Sequence, residues 1–263
     1  MTPENTLLLC LLAPFIGALG CLAFGTKLKA AGVIAILAST VSLTAAIFLV
    51  CDTADGSVIA VHSGNWPAPY GIVLVVDGFS ALMLAVCQLV VLAAIFYGSV
   101  SLPVRLKRRH LYPLTLTLSF GTNGAFLTGD LFNLYVWFEV LLLSSFSLMA
   151  ALKGSKAQTA TWRYVVINLV SSLLFLVAAG LVYGKTGTLN FADLHIIIRN
   201  TESPFLIDSS AALLLGAFGI KAALIPLAFW LPASYPHLPP ALSALFAGLL
   251  TKVGLYAMYR VFV

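Results

Sequence analysis

Hydrophobic residues run in stretches of about 20 along almost the whole chain. Such stretches match the hydrocarbon core of a bilayer, roughly 30 Å thick, because a helix rises about 1.5 Å per residue. We therefore predict eight transmembrane helices. Their approximate bounds are 6–26, 31–50, 73–100, 112–128, 131–152, 162–183, 209–231 and 240–262.

Prolines, glycines and polar residues separate these stretches, at 52–70, 103, 129–130, 153–156, 184–208 and 232–240. The segment 188–199 has an apolar and a polar side, and we expect it to lie on the outer membrane surface or to pack against the bundle or a partner. Asp130 directly follows Gly129 at the start of a helix, where N-capping is its expected role.

The seventh predicted helix contains a proline that interrupts its hydrogen bonds. Pro226 has no backbone N–H, so the carbonyl of Ala222 loses its helical partner, and Pro232 and further prolines follow. Broken helices at membrane depth usually line a cavity, because their freed carbonyls need water, ions or protein partners. We predict a broken helix here, with a simple proline kink as the alternative.

The composition agrees with a membrane protein. Apolar residues make up 61% of the 263 positions, charged residues make up 9%, and the mean hydropathy is +1.05. This balance excludes an ordinary soluble domain and predicts an all-α, polytopic membrane helix bundle. Glu4 is the one charge before the first apolar run, whereas a signal peptide is positively charged there, so we expect that run to be a retained helix.

Basic residues in the loops and near the ends of the apolar stretches are distributed unevenly between the two sides. Three fall on one side: Lys185, Arg199 and Arg260. Nine fall on the other: Lys27, Lys29, Arg105, Lys107, Arg108, Arg109, Lys153, Lys156 and Arg163. The positive-inside rule places the nine in the cytoplasm, so both termini are expected outside it, with the protein in the cell membrane. Anionic lipid headgroups account for the net charge of +5, and no nucleic-acid partner is expected.

Cysteines and histidines give no sign of a cofactor. The four cysteines have no CxxC or other metal-ligand spacing, and haem, iron–sulfur, flavin and nucleotide motifs are absent from the sequence. We therefore expect no metal and no cofactor. Several polar residues within the helices either line a water path or form hydrogen bonds between helices: Asn123, Ser144, Ser145, Asn168, Ser171 and Ser172.

Three charged residues lie near the middle of predicted helices. Glu139 is about 14 Å beyond Asp130 along its helix, and Lys221 and Lys252 are each about 18 Å into theirs. Snorkelling to the surface is difficult from that depth. The three residues therefore form either a structural ion pair or part of an ion or proton path. In the second case, opening and closing a Glu139–Lys221 pair would release the lysine proton towards Lys252.

Three segments resemble one known family. They are GDLFNLYVWFEVLLLSS (129–145), GIKAALIPLAFWLPASY (219–235) and PPALSALFAGLLTKVGLYAMYR (239–260). They look like the proton-conducting antiporter-like subunits of respiratory complex I, of membrane-bound hydrogenases and of Mrp-type Na+/H+ antiporters. Within that family the chain looks most like the D-type subunits of Mrp antiporters.

The resemblance implies roles for individual residues. Glu139 matches the essential glutamate of the family's fifth helix, and Lys221 matches the lysine of the broken seventh helix with which it pairs. Lys252 matches the lysine of the eighth helix that continues the hydrated axis. Asp77 lies where the family commonly has an acidic residue, and an entrance role and a structural role remain equally open.

The resemblance also implies a division of the chain. Residues 1–111 correspond to the family's first three helices, and residues 112–263 correspond to its first antiporter repeat, helices four to eight. Family members usually have about fourteen helices, so the second repeat is expected to be missing. A truncated sequence, a fragment and half of a split gene remain open, and we do not expect transport by this chain alone.

Three functions follow from the resemblance. The first is a membrane subunit of a multisubunit Na+/proton antiporter that works with other membrane subunits. The second is a proton-pumping subunit of a complex I-like NADH-quinone oxidoreductase or membrane-bound hydrogenase, in which any redox centre lies on another subunit. The third is a nonconducting scaffold or fragment.

Overall fold

The computed structural model describes residues 2–25, 27–66, 68–106, 111–152, 154–199 and 204–263. Helices dominate this part of the chain. The helices in the first half of the chain are α1 (Pro3–Ala23), α2 (Leu28–Asp52), α3 (Gly78–Ser101), the single turn α4 (Val104–Leu106) and α5 (Tyr112–Leu127). Those that follow are α6 (Leu131–Ala150), α7 (Ser155–Thr186), α8 (Phe191–Arg199), α9 (Pro204–Ala222), α10 (Trp230–Ser234) and α11 (Pro240–Phe262).

Seven helical segments in the described residues are long and apolar enough to cross a membrane, and the chain is a multi-pass membrane protein. All seven correspond to predicted spans. The fourth predicted span is α5, which has only 16 residues and so reaches about 24 Å. Most of its residues are buried by other helices, so its length is not set by contact with lipid.

The third predicted span was wrong at its beginning. The prediction began at residue 73, but Val73–Val76 is a strand, β2, which pairs antiparallel with β1 (Ile59–His62). Asp77 then caps α3, which begins at Gly78. The valine-rich run favours a strand because branched side chains fit a pleated surface. A small two-stranded sheet thus supplements the predicted all-α bundle.

The loops of the bundle gather at two ends. The β-hairpin end holds both strands, and isolated bridges link Leu74 to Thr128 and Asp130 to Asn190. α1 begins near this hairpin, since the two elements are in contact. Lys27 begins α2 at the opposite end. Four of the nine basic residues predicted for that opposite end lie outside the described residues: Lys107, Arg108, Arg109 and Lys153.

Two groups of helices form the bundle. α1, α2, α3 and α5 pack together, and α6, α7, α9 and α11 pack together, with α5–α6 and α3–α11 contacts joining the groups. The division at residue 111 remains a prediction. In the first group, the buried Asn123 side chain donates to the Cys10 carbonyl at 2.8 Å and to Ser42 Oγ at 3.1 Å, and accepts from Gln88. Its polar groups therefore link helices rather than face lipid.

Candidate functional site

The predicted helix break is present, and a tryptophan supports it. α9 ends at Ala222, a turn follows with a cis Ile225–Pro226 peptide, and a 3-10 turn at Leu227–Phe229 leads into α10. The buried Trp230 indole N–H donates to the Ile220 carbonyl at 2.8 Å. The Ile220 carbonyl thus accepts from this indole and also from the Ala223 N–H at 3.1 Å, whereas the sequence pointed to Ala222 as the freed carbonyl.

The second predicted break residue, Pro232, lies inside the short helix α10. It is in the first turn of that helix, where a missing N–H costs little because the first N–H groups of a helix have no partner within it. Ser234 ends α10 and donates from its hydroxyl to the Trp230 carbonyl at 2.7 Å. At the break, the chain therefore consists of two helical segments, α9 and α10, joined by a turn.

Lys221 lies in the last turn of α9, where the helix carbonyls favour a cation. Its side chain is buried, with 5% exposed. Its Nζ donates to Ser172 Oγ on α7 at 3.3 Å and lies 5.0 Å from the centre of the Phe138 ring on α6. Lys221 is thus a cation enclosed by three helices at the break.

Gly254 allows α11 to approach the end of α9 closely. A Cβ atom at this position would lie 2.6 Å from the backbone nitrogen of Ala222 and 2.9 Å from the carbonyl carbon of Lys221. Those distances are too short for any real side chain. The backbone that carries Lys221 is therefore held directly against the α11 backbone.

Glu139 lies in the middle of α6 and is only partly buried. It shares a helix face with the exposed Phe132, Val136 and Leu143. Its Oε1 atom is buried and has no hydrogen-bond partner in the described part of the chain. Among those residues, Glu139 also has no ion pair within 4.0 Å, although its charge acts electrostatically on Lys221. The pairing implied by the resemblance remains a prediction.

Lys252 is exposed on the side of α11 in the described part of the chain. Its Nζ donates to the neighbouring Thr251 Oγ1 at 3.4 Å. Leu255 and Tyr259 are exposed on the same helix. The prediction measured depth along the helix, which is correct, but the sequence does not indicate the direction in which a residue of an apolar helix points.

Asp77 has two structural contacts. Its carboxylate accepts from the Ser80 N–H at 2.9 Å as the N-cap of α3, and it forms an ion pair with Arg260 of α11 at 2.7 Å. Burial raises the pKa of Asp77, but the Ser80 N–H and the Arg260 guanidinium outweigh it, so the pKa is below its usual value. These contacts fit the structural role, and no observation tests the entrance role.

Arg260 extends this connection. In the sequence, Arg260 bears only on the predicted orientation. Its Nε donates to the Tyr256 hydroxyl at 2.8 Å, and that hydroxyl donates to the Phe126 carbonyl at 2.8 Å. The spacing of Tyr256 and Arg260 by four residues was a usable signal, because such residues share a helix face. The cluster joins α3, α5 and α11 at the hairpin end.

Further predictions concern Asp130, the segment 188–199 and metal binding. Asp130 is the N-cap of α6, as predicted, and accepts from the Asn133 N–H at 2.8 Å. The segment 188–199 forms α8 over most of its length, at the hairpin end. No three His, Cys, Asp or Glu side chains of the described ranges are placed to hold a metal ion.

Chemically, the site at the helix break suits a proton carrier. It combines the buried Lys221, the Glu139 carboxylate on α6, and the Ser172 hydroxyl, which accepts a hydrogen bond from the lysine. A neutral and a charged lysine differ strongly in stability at a low-dielectric position, so small movements of such partners control its proton.

Known proteins resemble this chain along most of its length. The family model described as NADH:quinone oxidoreductase/Mrp antiporter, TM matches residues 128–263. The D subunit of the Na(+)/H(+) antiporter of Alkalihalophilus pseudofirmus is 40% identical over 98% of the chain, which spans 52% of that relative. The D subunit of the probable K(+)/H(+) antiporter of Rhizobium meliloti is 44% identical over 75% of the chain and 36% of the relative.

A solved structure shares the fold. The Mrp complex from Dietzia sp. DQ12-45-1b contains a chain that matches this one with a TM-score of 0.90 and 35% identity. The match covers 100% of the present chain and 49% of that chain. The chain therefore spans about half the length of the proteins that it resembles.

Proposed function

The chain belongs to the NADH:quinone oxidoreductase/Mrp antiporter transmembrane family, and from this premise we propose that it forms part of one membrane subunit in a multisubunit monovalent cation/proton antiporter. The proposal is carried by one observation, the buried Lys221 at the end of a broken helix, with its ammonium beside Ser172 of α7 and Phe138 of α6. The names of the relatives suggest Na+ or K+ as the exchanged cation.

In this proposal, protons pass between side chains at membrane depth. Glu139 modulates the charge of Lys221, Lys221 carries the proton at the helix break, and Lys252 receives it. The exposed position of Lys252 supports a role at the edge of this unit, since a charge there is costly unless another polar group covers it.

Other protein is expected to cover two faces of the chain. Glu139 lies on an exposed face of α6, and Lys252 lies on an exposed face of α11. A mid-membrane charge that faced lipid would be unfavourable, so we propose that the rest of a longer subunit or neighbouring membrane subunits pack there. The proposed orientation places Lys27 and the other basic residues of its end in the cytoplasm, and both termini on the opposite side.

Glu139→Ala tests this function most simply. The full-length subunit is produced with its partner subunits, and inside-out membrane vesicles are given a respiratory pH gradient. Addition of Na+ or K+ dissipates that gradient when antiport occurs. We expect the variant to lose most of the dissipation, because Lys221 loses its carboxylate partner. Glu4→Ala, at an exposed position near the N-terminus, is the matched control. Wild-type activity of Glu139→Ala would remove Glu139 from the path.

A second function is favoured by the family description, which includes NADH:quinone oxidoreductases. Under that proposal the same residues conduct protons, and electron transfer in partner subunits provides the driving force. The two functions differ in their driving reaction. Acidification of vesicles by NADH and a quinone, if it requires the complex, supports the oxidoreductase function. Dissipation of the gradient by Na+ or K+ supports the antiporter function.

A further inference from the structure

The Lys221 ammonium is surrounded by groups that favour a cation but carry no negative charge. An ammonium has three N–H donors. One reaches Ser172 Oγ at 3.3 Å, and the positive charge lies 5.0 Å from the Phe138 ring, whose face attracts cations. Throughout the described ranges, no carboxylate oxygen lies within 4.0 Å of it. The lysine is therefore held in a place of its own, separate from a pair with Glu139.

A small cavity lies beside this ammonium. Its volume is about 20 Å³, and Tyr164 and Asn168 of α7 are among the residues that line it with Lys221. A water molecule needs about 10–15 Å³ measured in this way, together with two to four polar partners. One water fits the cavity and can accept from the ammonium while it donates to α7.

Hydrogen-bond directions indicate that the wall of this cavity offers acceptors. Ser145 Oγ donates to the Leu142 carbonyl at 3.0 Å and lies 2.6 Å from the Tyr164 hydroxyl. A serine hydroxyl has one hydrogen, so Tyr164 must donate to Ser145, and the lone pairs of the Tyr164 oxygen stay available. Asn168 uses its amide nitrogen on the Tyr164 carbonyl at 2.9 Å, which leaves its amide oxygen as an acceptor.

These groups lie together around one side chain, and we name them the holding site. The holding site consists of Phe138, Tyr164, Asn168 and Ser172. We propose that it binds the Lys221 ammonium in its charged form whenever the lysine is not paired with Glu139. This inference rests on the proposed proton path and adds to it a second position for the carrier.

The holding site changes the energetics of opening the pair. Separation of a buried ion pair is costly mainly because it leaves a charge without compensation. A ring face, a hydroxyl oxygen and a hydrated cavity supply part of that compensation. Lys221 can therefore leave Glu139 with its proton still bound, which is the state that a transfer towards Lys252 requires.

Other titratable groups on the elements packed against α9 also bear on the charge of Lys221. They are Tyr135 and Glu139 on α6, Tyr164 on α7, Tyr235 in the turn after α10, and Lys252 on α11. Of these, Glu139 is the one carboxylate. A change in the holding site can therefore be separated from a change in the carboxylate by comparison with Glu139 variants.

The test is the pH dependence of transport in the assembled complex, with Ser172→Ala in the full-length subunit. Loss of the Ser172 hydroxyl destabilises the charged lysine, so transport should fall at a lower pH on the alkaline side. We expect that limb to move by about one pH unit, which corresponds to a tenfold change in proton affinity. Ser172→Thr, which keeps the hydroxyl, should restore the wild-type profile.

Ser171→Ala is the matched control, because this neighbouring buried hydroxyl donates to the Ala217 carbonyl at 2.8 Å instead of to Lys221. Phe138→Leu is a second variant, used also if Ser172→Ala fails to assemble, and it should shift the profile in the same direction. The holding site would be overturned if the pH profiles of both variants superimposed on the wild-type profile. It would also be overturned if only the maximal transport rate fell, without a shift along the pH axis. If Glu139→Gln and Lys221→Ala also retain full transport, the proposed function fails as well. If those two abolish transport, only the holding site is wrong.

Discussion

The contact between Gly254 and the end of α9 gives a prediction whose size follows from the structure. In Gly254→Ala, the new methyl group would lie 2.6 Å from the Ala222 nitrogen, whereas ordinary contact begins at 3.4 Å. The two helix backbones must therefore separate by about 0.8 Å. Because Lys221 directly precedes Ala222, that separation moves the carrier itself.

Two opposing effects set the change in stability. Overpacking against a backbone costs about 1–3 kcal/mol, whereas replacement of a helical glycine by alanine contributes about 0.5–1 kcal/mol in favour of the helix. The net destabilisation should be between zero and about 2.5 kcal/mol. A displacement of about 1 Å can reduce a finely positioned reaction on the order of 100-fold, so we expect transport to fall at least about tenfold.

Gly180→Ala is the control for this variant. Apart from the nearby backbone of its own helix, no atom lies within 4 Å of the new methyl group. Both variants should be assembled with their partner subunits and compared for melting temperature and for cation-dependent gradient dissipation. We expect Gly254→Ala to melt earlier and transport poorly, and Gly180→Ala to match or exceed wild-type stability. Equal melting temperatures and equal transport for both variants would refute the described packing of α11 on α9.

Two further predictions concern the helix break and the hairpin end. Trp230→Phe keeps an aromatic ring but removes the indole N–H that donates to the Ile220 carbonyl, which keeps the Ala223 N–H as a donor. The assembled complex should therefore lose about 0.5–1.5 kcal/mol and melt earlier, with the exposed Trp162→Phe as control. The pKa of Asp77 in the folded protein lies below its usual value of about 3.9, so its ion pair with Arg260 stabilises the fold above that pH. This contribution is lost as the pH falls through the lower pKa of the folded state. Acid titration of the melting temperature should show this loss in wild type and not in Asp77→Asn; identical curves would contradict it.

The hydrophobic pattern predicted most helix positions, but it could not separate strand from helix in a short apolar run. Val73–Val76 is entirely apolar and runs directly into the apolar helix that follows, and what ends the strand is the capping geometry of Asp77. Such a capping residue inside an apolar run was the signal available in the sequence.

The sequence also could not predict which side of its helix a residue faces. In a helix that is apolar on all sides, periodicity does not distinguish the face toward lipid from the face toward the bundle. Depth along the chain therefore identified Glu139, Lys221 and Lys252 together, whereas the structure buries only Lys221 well. The tertiary contacts of Ser172 and Trp230 depend on which helices become neighbours, which local sequence does not specify.

The central claim is that Lys221 carries the proton at the helix break, and Lys221→Ala tests it most directly. The measurement is Na+- or K+-dependent dissipation of a pH gradient in vesicles that contain the complete assembly with the full-length subunit. The exposed Lys156→Ala, at the opposite end from the hairpin, controls for loss of a positive charge. We predict near-complete loss of dissipation for Lys221→Ala and normal activity for Lys156→Ala. Wild-type dissipation by an assembled Lys221→Ala complex would contradict the account.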